Sequence, residues 1–125
     1  MAWEFSNSAP IYLQLVEAIK LQIISGQIKA GEKLNSVRDL AEEAGVNPNT
    51  MQKALAELER EDLIYSVRTS GRFVNEDKGI IKKMRSQLAD KKIEDLFESL
   101  YKLGYTEDEI SAVILEKIKK DEECE

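Results

Sequence analysis

The sequence predicts a mainly α fold with one small β-hairpin, divided into residues 1–75 and residues 76–125. Three observations carry that expectation. Apolar residues recur at helical spacing in five separate stretches. Only Leu63-Ile64-Tyr65-Ser66-Val67 has strand composition; turn residues from Arg68 to Gly71 follow it, then a return along Arg72-Phe73-Val74. A polar run, Asn75 to Gly79, separates the hairpin from a long charged helical tail.

In chain order, Trp3 and Phe5 are expected to pack over the domain's edge. Ser8 is a candidate cap and Pro10 suits a first helical turn. Ile11, Tyr12, Leu15, Val16, Ile19 and Ile23 then mark a helix over about residues 10–25, ended by Gly26. Lys29 to Glu32 reads as a turn, and Lys33-Leu34 is long enough only for a stub of strand. Ser36 caps a second helix, with Asp39 three residues on as in a capping box. Val37, Leu40, Ala41 and Ala44 give that helix a short apolar face, and Gly45 can supply its left-handed C-terminal cap. Asn47 is a good N-cap for the third helix and Pro48 fits its first position. Met51, Ala54, Leu55 and Leu58 form its buried face, which leaves Asn49, Thr50, Gln52 and Lys53 outward.

Beyond the polar run a long helix is expected over about residues 79–103. Ile80, Ile81, Met84 and Leu88 begin its stripe; Ala89, Ile93, Leu96, Leu100 and Leu103 continue it at coiled-coil-like spacing. Gly104 ends it. Thr106 with Glu109 forms a second capping box, and Ile110, Val113, Ile114 and Ile118 line a last helix to about residue 120. Two such helices make an antiparallel hairpin that cannot bury a two-sided stripe alone. A second copy would complete it, which makes Ile93, Leu96, Leu100, Leu103, Ile110 and Ile114 the candidate dimerisation residues. The rival arrangement folds both helices back onto the first domain.

Composition narrows the function classes. The chain has no histidine and one cysteine, Cys124, so a transition-metal site or a nucleophile–histidine dyad cannot be built from the usual parts. No catalytic residue, cofactor or metal is therefore expected, and Cys124 reads as an incidental thiol. The apolar runs are too short to cross a bilayer and no signal pattern is seen, so the expected location is the cytoplasm. The formal net charge of −6 opposes nucleic-acid binding until its distribution is considered. Residues 1–75 carry 8 basic and 10 acidic side chains, whereas residues 76–125 carry 10 and 14. More of the acid lies in the tail, while Arg38, Lys53, Arg68 and Arg72 can share a face of the first domain.

Helix, stub, helix, tight turn, helix and hairpin make a winged helix–turn–helix, an arrangement that reads the DNA major groove with its last helix. The candidate DNA contacts are Arg38, Asn47, Asn49, Thr50, Gln52 and Lys53, with Arg68, Ser70, Gly71 and Arg72 on the wing. Asn and Gln can pair adenine at two points, and the arginines suit phosphates. Bland readings stand beside these: Asn47 only caps its helix, Lys53 balances Glu57, and Arg38 pairs with Glu42. The expected partner is a double-stranded operator bound by a homodimer. The alternative is a winged module that binds another protein. A small effector near Tyr101 and Tyr105 is a further option, against ordinary packing of those rings.

Three segments in order, PIYLQLVEAIKLQIISGQIKAGEKL, NSVRDLAEEAGVNPNTMQKALAELEREDLI and SGRFV, resemble the GntR family of bacterial transcription regulators. The WEF…PIYLQ opening and the short two-helix tail look like its YtrA subfamily. The resemblance implies a repressor that dimerises through its C-terminal helices, often controlling an ABC-transporter operon. It also implies DNA contacts by Arg38, by the start of the third helix, and by a wing that Gly71 brings to the minor groove. The chain departs from the family pattern at four positions. Asn35 replaces a proline, Leu55 a tyrosine, Thr69 a glycine and Arg72 a threonine.

Overall fold

The computed structural model describes residues 3–123; Cys124 lies outside the described residues. Five helices and one hairpin follow in the order α1 (Ile11–Ile24), α2 (Val37–Ala44), α3 (Pro48–Arg60), β1 (Ile64–Val67), β2 (Gly71–Val74), α4 (Lys78–Lys102) and α5 (Glu107–Glu123). They form two compact units, one ending at Arg85 and one beginning at Ser86.

The first unit is built around α3. Met51, Ala54, Leu55 and Leu58 are wholly buried there with Leu15, Ile19 and Ile23 of α1 and Leu40, Ala41 and Ala44 of α2. Each large aliphatic side chain so buried is worth about 1.5–3 kcal/mol, which makes this cluster the main source of the unit's stability. Trp3 and Phe5 pack against the core as the sequence suggests. Their segment is tied down by Gln14, whose amide accepts from Ser6 N–H and donates to Ser6 O and Ala9 O, each at 2.8 Å. Ser8 is not a helix cap: its hydroxyl meets that of Ser6, and Pro10 occupies the cap position without a side-chain bond. At the far end of α3, Lys20 of α1 lies 3.0 Å from Glu61.

β1 and β2 pair antiparallel, Ile64 with Val74 through Val67 with Gly71. The Lys33 stub adds a third, minimal strand by bridging Phe73. Leu34 N–H donates to Arg72 O and Val74 N–H donates to Glu32 O, both at 2.9 Å. This sheet is how the wing is anchored to the segment that enters α2.

The start of α4 differs from the expected stripe. Ile81 is buried in the core of the first unit, with Ile80 and Met84 packed against it. Apolar positions read as the opening of a coiled-coil seam therefore serve the winged domain, which is why its compact unit continues to Arg85. The polar run before α4 is ordered by its own side chains. Asn75 donates to Asp62 O at 2.8 Å and accepts from Asp77 N–H at 2.9 Å, and Asp77 accepts from Gly79 N–H at 2.8 Å.

The second unit is a helical hairpin. Gly104 takes the left-handed conformation that ends α4, with φ of 97°. Thr106 and Glu109 complete a reciprocal capping box at α5. Thr106 N–H donates to Glu109 Oε1 at 3.1 Å, and Glu109 N–H donates to Thr106 Oγ1 at 3.3 Å. Ile110 is its one fully buried side chain among the described residues.

Candidate nucleic-acid interface

The presentation of α3 begins with backbone chemistry. Gly45 closes α2 at φ of 72°, a left-handed conformation, and Val46 N–H returns to Ala41 O at 2.9 Å. The chain leaves that turn through Asn47, whose Oδ1 accepts from Asn49 N–H at 2.8 Å, and Pro48 opens α3. Ser36 caps α2 by accepting from Asp39 N–H at 3.1 Å; the reciprocal bond of a full capping box is absent among the described residues. These caps fix where α3 starts, and hence which residues face outward.

Burial divides α3 cleanly. The core takes residues 51, 54, 55 and 58, while Asn49, Gln52, Lys53, Ala56 and Arg60 are exposed and Thr50 is half-buried. An exposed stripe at spacings of three and four is one side of a helix. Its first turns carry two carboxamides that can donate and accept at once, as base edges require. Lys53 does not pair with Glu57. Its Nζ stands 3.9 Å from the centre of the Tyr12 ring on α1, and Glu57 pairs with Arg60 at 3.1 Å. Arg38 is exposed in the first turn of α2 and forms no ion pair among the described residues, with Glu42 or otherwise.

The wing splits its two arginines. Arg68 and Ser70 lie exposed at the tip, where Ser70 N–H donates to Val67 O at 3.0 Å, and Gly71 has φ of 110°. A side chain at Gly71 would be strained in that conformation, and its Cβ would lie 3.3 Å from Lys33 Cε. Arg72 is instead turned onto α3. Its Nε donates to Glu59 Oε1 at 2.9 Å with three quarters of the side chain covered, and the Ser66 hydroxyl donates to the same oxygen. Glu59 of α3 thus holds both wing strands, β1 through Ser66 and β2 through Arg72. Beside it Tyr65 stacks on Phe73, ring centres 5.8 Å apart, and donates to Glu76. Desolvation, and then the Glu76 carboxylate, raise the Tyr65 pKa above its ordinary value, so the phenol stays neutral.

Between the N-terminal end of α2 and the wing lies a cleft of about 550 Å³, lined by Lys33, Ser36, Asp39, Ser70, Gly71 and Arg72 among others. Hydroxyls, a glycine backbone and the Lys33 ammonium in one groove suit a phosphate backbone, while Arg72 there is already held by Glu59. Lys33, Ala56 and Arg60 extend the expected set of contacts. Ala56 and Arg60 follow from continuing the outward stripe by one and two turns; Lys33 owes its place to a bridge across the fold. Among the described residues no group of His, Cys, Asp or Glu side chains could hold a metal ion.

The candidate dimerisation residues fall into three environments. Ile93, Leu96 and Leu103 are exposed, Leu103 at 73%. Leu100 and Ile114 are half-buried, and Ile110 is already covered within its own unit. Val113, Leu115 and Ile118 add to the exposed apolar surface. Tyr101 packs edge-on against Phe97, ring centres 6.4 Å apart.

Comparison with known proteins agrees with this geometry. The family described as "Bacterial regulatory proteins, gntR family" matches residues 11–74, from the start of α1 to the end of β2. The chain is similar to the HTH-type transcriptional regulator YhcF of Bacillus subtilis, 34% identical over 107 residues that cover 86% of this chain and 88% of that one. It is also similar to the HTH-type transcriptional repressor YtrA of the same organism, 44% identical over 71 residues, 57% of this chain and 55% of the relative. Among solved structures, a GntR family transcriptional regulator from Listeria monocytogenes superposes with a TM-score of 0.82 at 40% identity, covering 90% of this chain and 98% of that one. AraR(DBD) in complex with operator ORX1 superposes with a TM-score of 0.52 at 32% identity, over 59% of this chain and 90% of that one. The chain belongs to the GntR family of bacterial regulatory proteins, with the winged helix fold and DNA-binding domain of that family.

Proposed function

We propose that this protein is a cytoplasmic transcriptional repressor that binds a two-fold operator as a homodimer. The observation that carries the DNA reading is the outward stripe of α3, capped, rigidly packed from behind, and flanked by the cleft that holds Lys33 and by a braced wing. Asn49, Gln52 and Thr50 face base edges, each two-point pair being worth about 1–3 kcal/mol of discrimination. Arg38, Lys33 and Arg68 sit on phosphates, while Asn47 and Arg72 act by holding α3 and the wing in place. The resemblance to YtrA, which is named a repressor, and to an AraR domain in complex with its operator supports this assignment. An ABC-transporter operon is the target class that the resemblance to the YtrA subfamily suggests.

The dimer is supported by the second unit, where one covered side chain stands against a row of exposed aliphatic ones. A helical pair with so little core gains stability by joining a second copy. Two reading helices then match two half-sites.

The test is fluorescence-anisotropy titration against the DNA upstream of the protein's own gene, at two salt concentrations, with scrambled DNA as control. Tight binding to the native sequence alone, weakening steeply with salt as counterions are released, is the expected result. Equal and weak binding to both DNAs would overturn it and point to a protein partner for the outward face of α3.

A further inference from the structure

The first unit holds another concavity, lined by none of the residues assigned to DNA. It has a volume of about 590 Å³ and lies where the end of α1 and the turn after it meet the first two turns of α4. Ile23, Ile24 and Ile81, all buried residues, form its apolar wall. Four cations surround that wall: Lys29 from the turn and Lys78, Lys82 and Arg85 from α4. No carboxylate lines it. In a chain with 24 acidic and 18 basic side chains, this lining runs against composition.

The four cations are also unpaired. None of them forms an ion pair among the described residues. A separate cavity of about 340 Å³ shows the contrast, since its one cation, Lys20, lies 3.0 Å from Glu61 and shares the lining with Glu17 and Glu57. Arg85 is held at the rim by one bond, from Nη2 to Ile24 O at 3.0 Å. Its other N–H groups have no protein acceptor among the described residues, and a guanidinium so placed is suited to a carboxylate or phosphate.

We propose that this cavity is a binding site for a small organic anion. The carboxylate or phosphate head is held by Lys78, Lys82 and Arg85, and the apolar body lies on the isoleucine wall. Like charges around one cavity repel, and an anion relieves that repulsion. The apolar wall selects against inorganic ions, which gain nothing from it. It also favours a small amphipathic ligand over DNA phosphates, which carry no apolar body to cover isoleucine.

The experiment is a ¹⁵N–¹H NMR titration of the full chain with octanoate, octyl phosphate, octylammonium and inorganic phosphate. The expected result is a saturable shift of the Ile24, Gly26, Ala30 and Ile81 amides with octanoate or octyl phosphate, the tighter of the two naming the head group. Lys78→Gln with Lys82→Gln should weaken it by at least about tenfold, because charge-assisted bonds to the head are lost. These lysines are exposed, so the spectrum of the double variant should keep its dispersion. No saturable shift with either amphipathic anion overturns the proposal, as does equal binding of octylammonium or of inorganic phosphate. An undiminished affinity in the double variant does so too. If the anions fail and the double variant instead flattens the salt dependence of DNA binding, the cavity is a phosphate-backbone contact. The DNA reading stands or falls separately, since none of its residues is altered.

Discussion

The two units of this chain solve burial in opposite ways. In the first, α1, α2, α3 and the wing close a continuous core that includes Leu15, Met51, Leu55, Leu58 and Leu63, each without exposed surface. In the second, Ile110 alone among the described residues is fully covered, while Leu103, Leu115 and Ile93 are more than half exposed. The same aliphatic residue types are enclosed within one unit and left exposed on the other. A core completed within the chain frees the outer side of α3 for polar recognition; an open one is the surface on which the proposed dimer rests.

The strongest way to break this contrast is to open the closed core. Leu55→Ala should destabilise the first unit by about 2–5 kcal/mol, through lost burial and the cavity it leaves. Chemical denaturation followed by Trp3 fluorescence reads that unit, because Trp3 packs against its core. A loss under about 1 kcal/mol would mean that α3 is not the centre of the fold. The complementary change is Leu103→Glu with Leu115→Glu. It should leave that transition unmoved, convert the proposed dimer to monomer in sedimentation velocity, and weaken operator binding about 100-fold, as expected when linked half-sites act alone.

A smaller effect sharpens the division of labour within the winged unit. Arg68→Gln should lower the slope of log affinity against log salt by about 0.9, the signature of one lost phosphate contact. Arg72→Gln and Glu59→Gln should each weaken binding about tenfold with that slope unchanged, because they loosen the wing without touching DNA. A slope change for Arg72→Gln equal to that of Arg68→Gln would show that the Glu59 contact opens on binding. The smallest effect concerns Asp62, the one non-glycine residue with positive φ, 63°, among those described. Asp62→Gly should raise stability by about 0.5 kcal/mol by relieving the left-handed penalty, as measured by thermal melting.

Much of this was legible in the sequence because it depends on neighbours. Gly45 with Asn47 and Pro48 fixes the turn into α3, and Thr106 with Glu109 fixes the start of α5; both signals lie within a few residues. The partition of α3 follows from its 3.6-residue period. What escaped depends on residues far apart in the chain. Arg72 reads as a free cation on a wing until Glu59, 13 positions earlier, is found against it. Where the family commonly has threonine, this chain has an arginine bound to its own helix. Lys53 finds Tyr12, on another helix, and not Glu57 on its own. Lys33 joins the wing groove only through its bridge to Phe73. Ile80, Ile81 and Met84 continue the period of α4 without a break, so spacing alone cannot show that they serve the first unit. The stretch before Ile11 misleads at Ser8 because the serine bonds Ser6 in preference to the helix.

One unit is proposed to read DNA and the other to join two readers. Sedimentation velocity of the full chain, free and mixed with a duplex carrying the upstream DNA, tests it most directly. The free protein should have twice the chain mass, with two chains on each duplex. A free species of single-chain mass that binds one chain per duplex would contradict it.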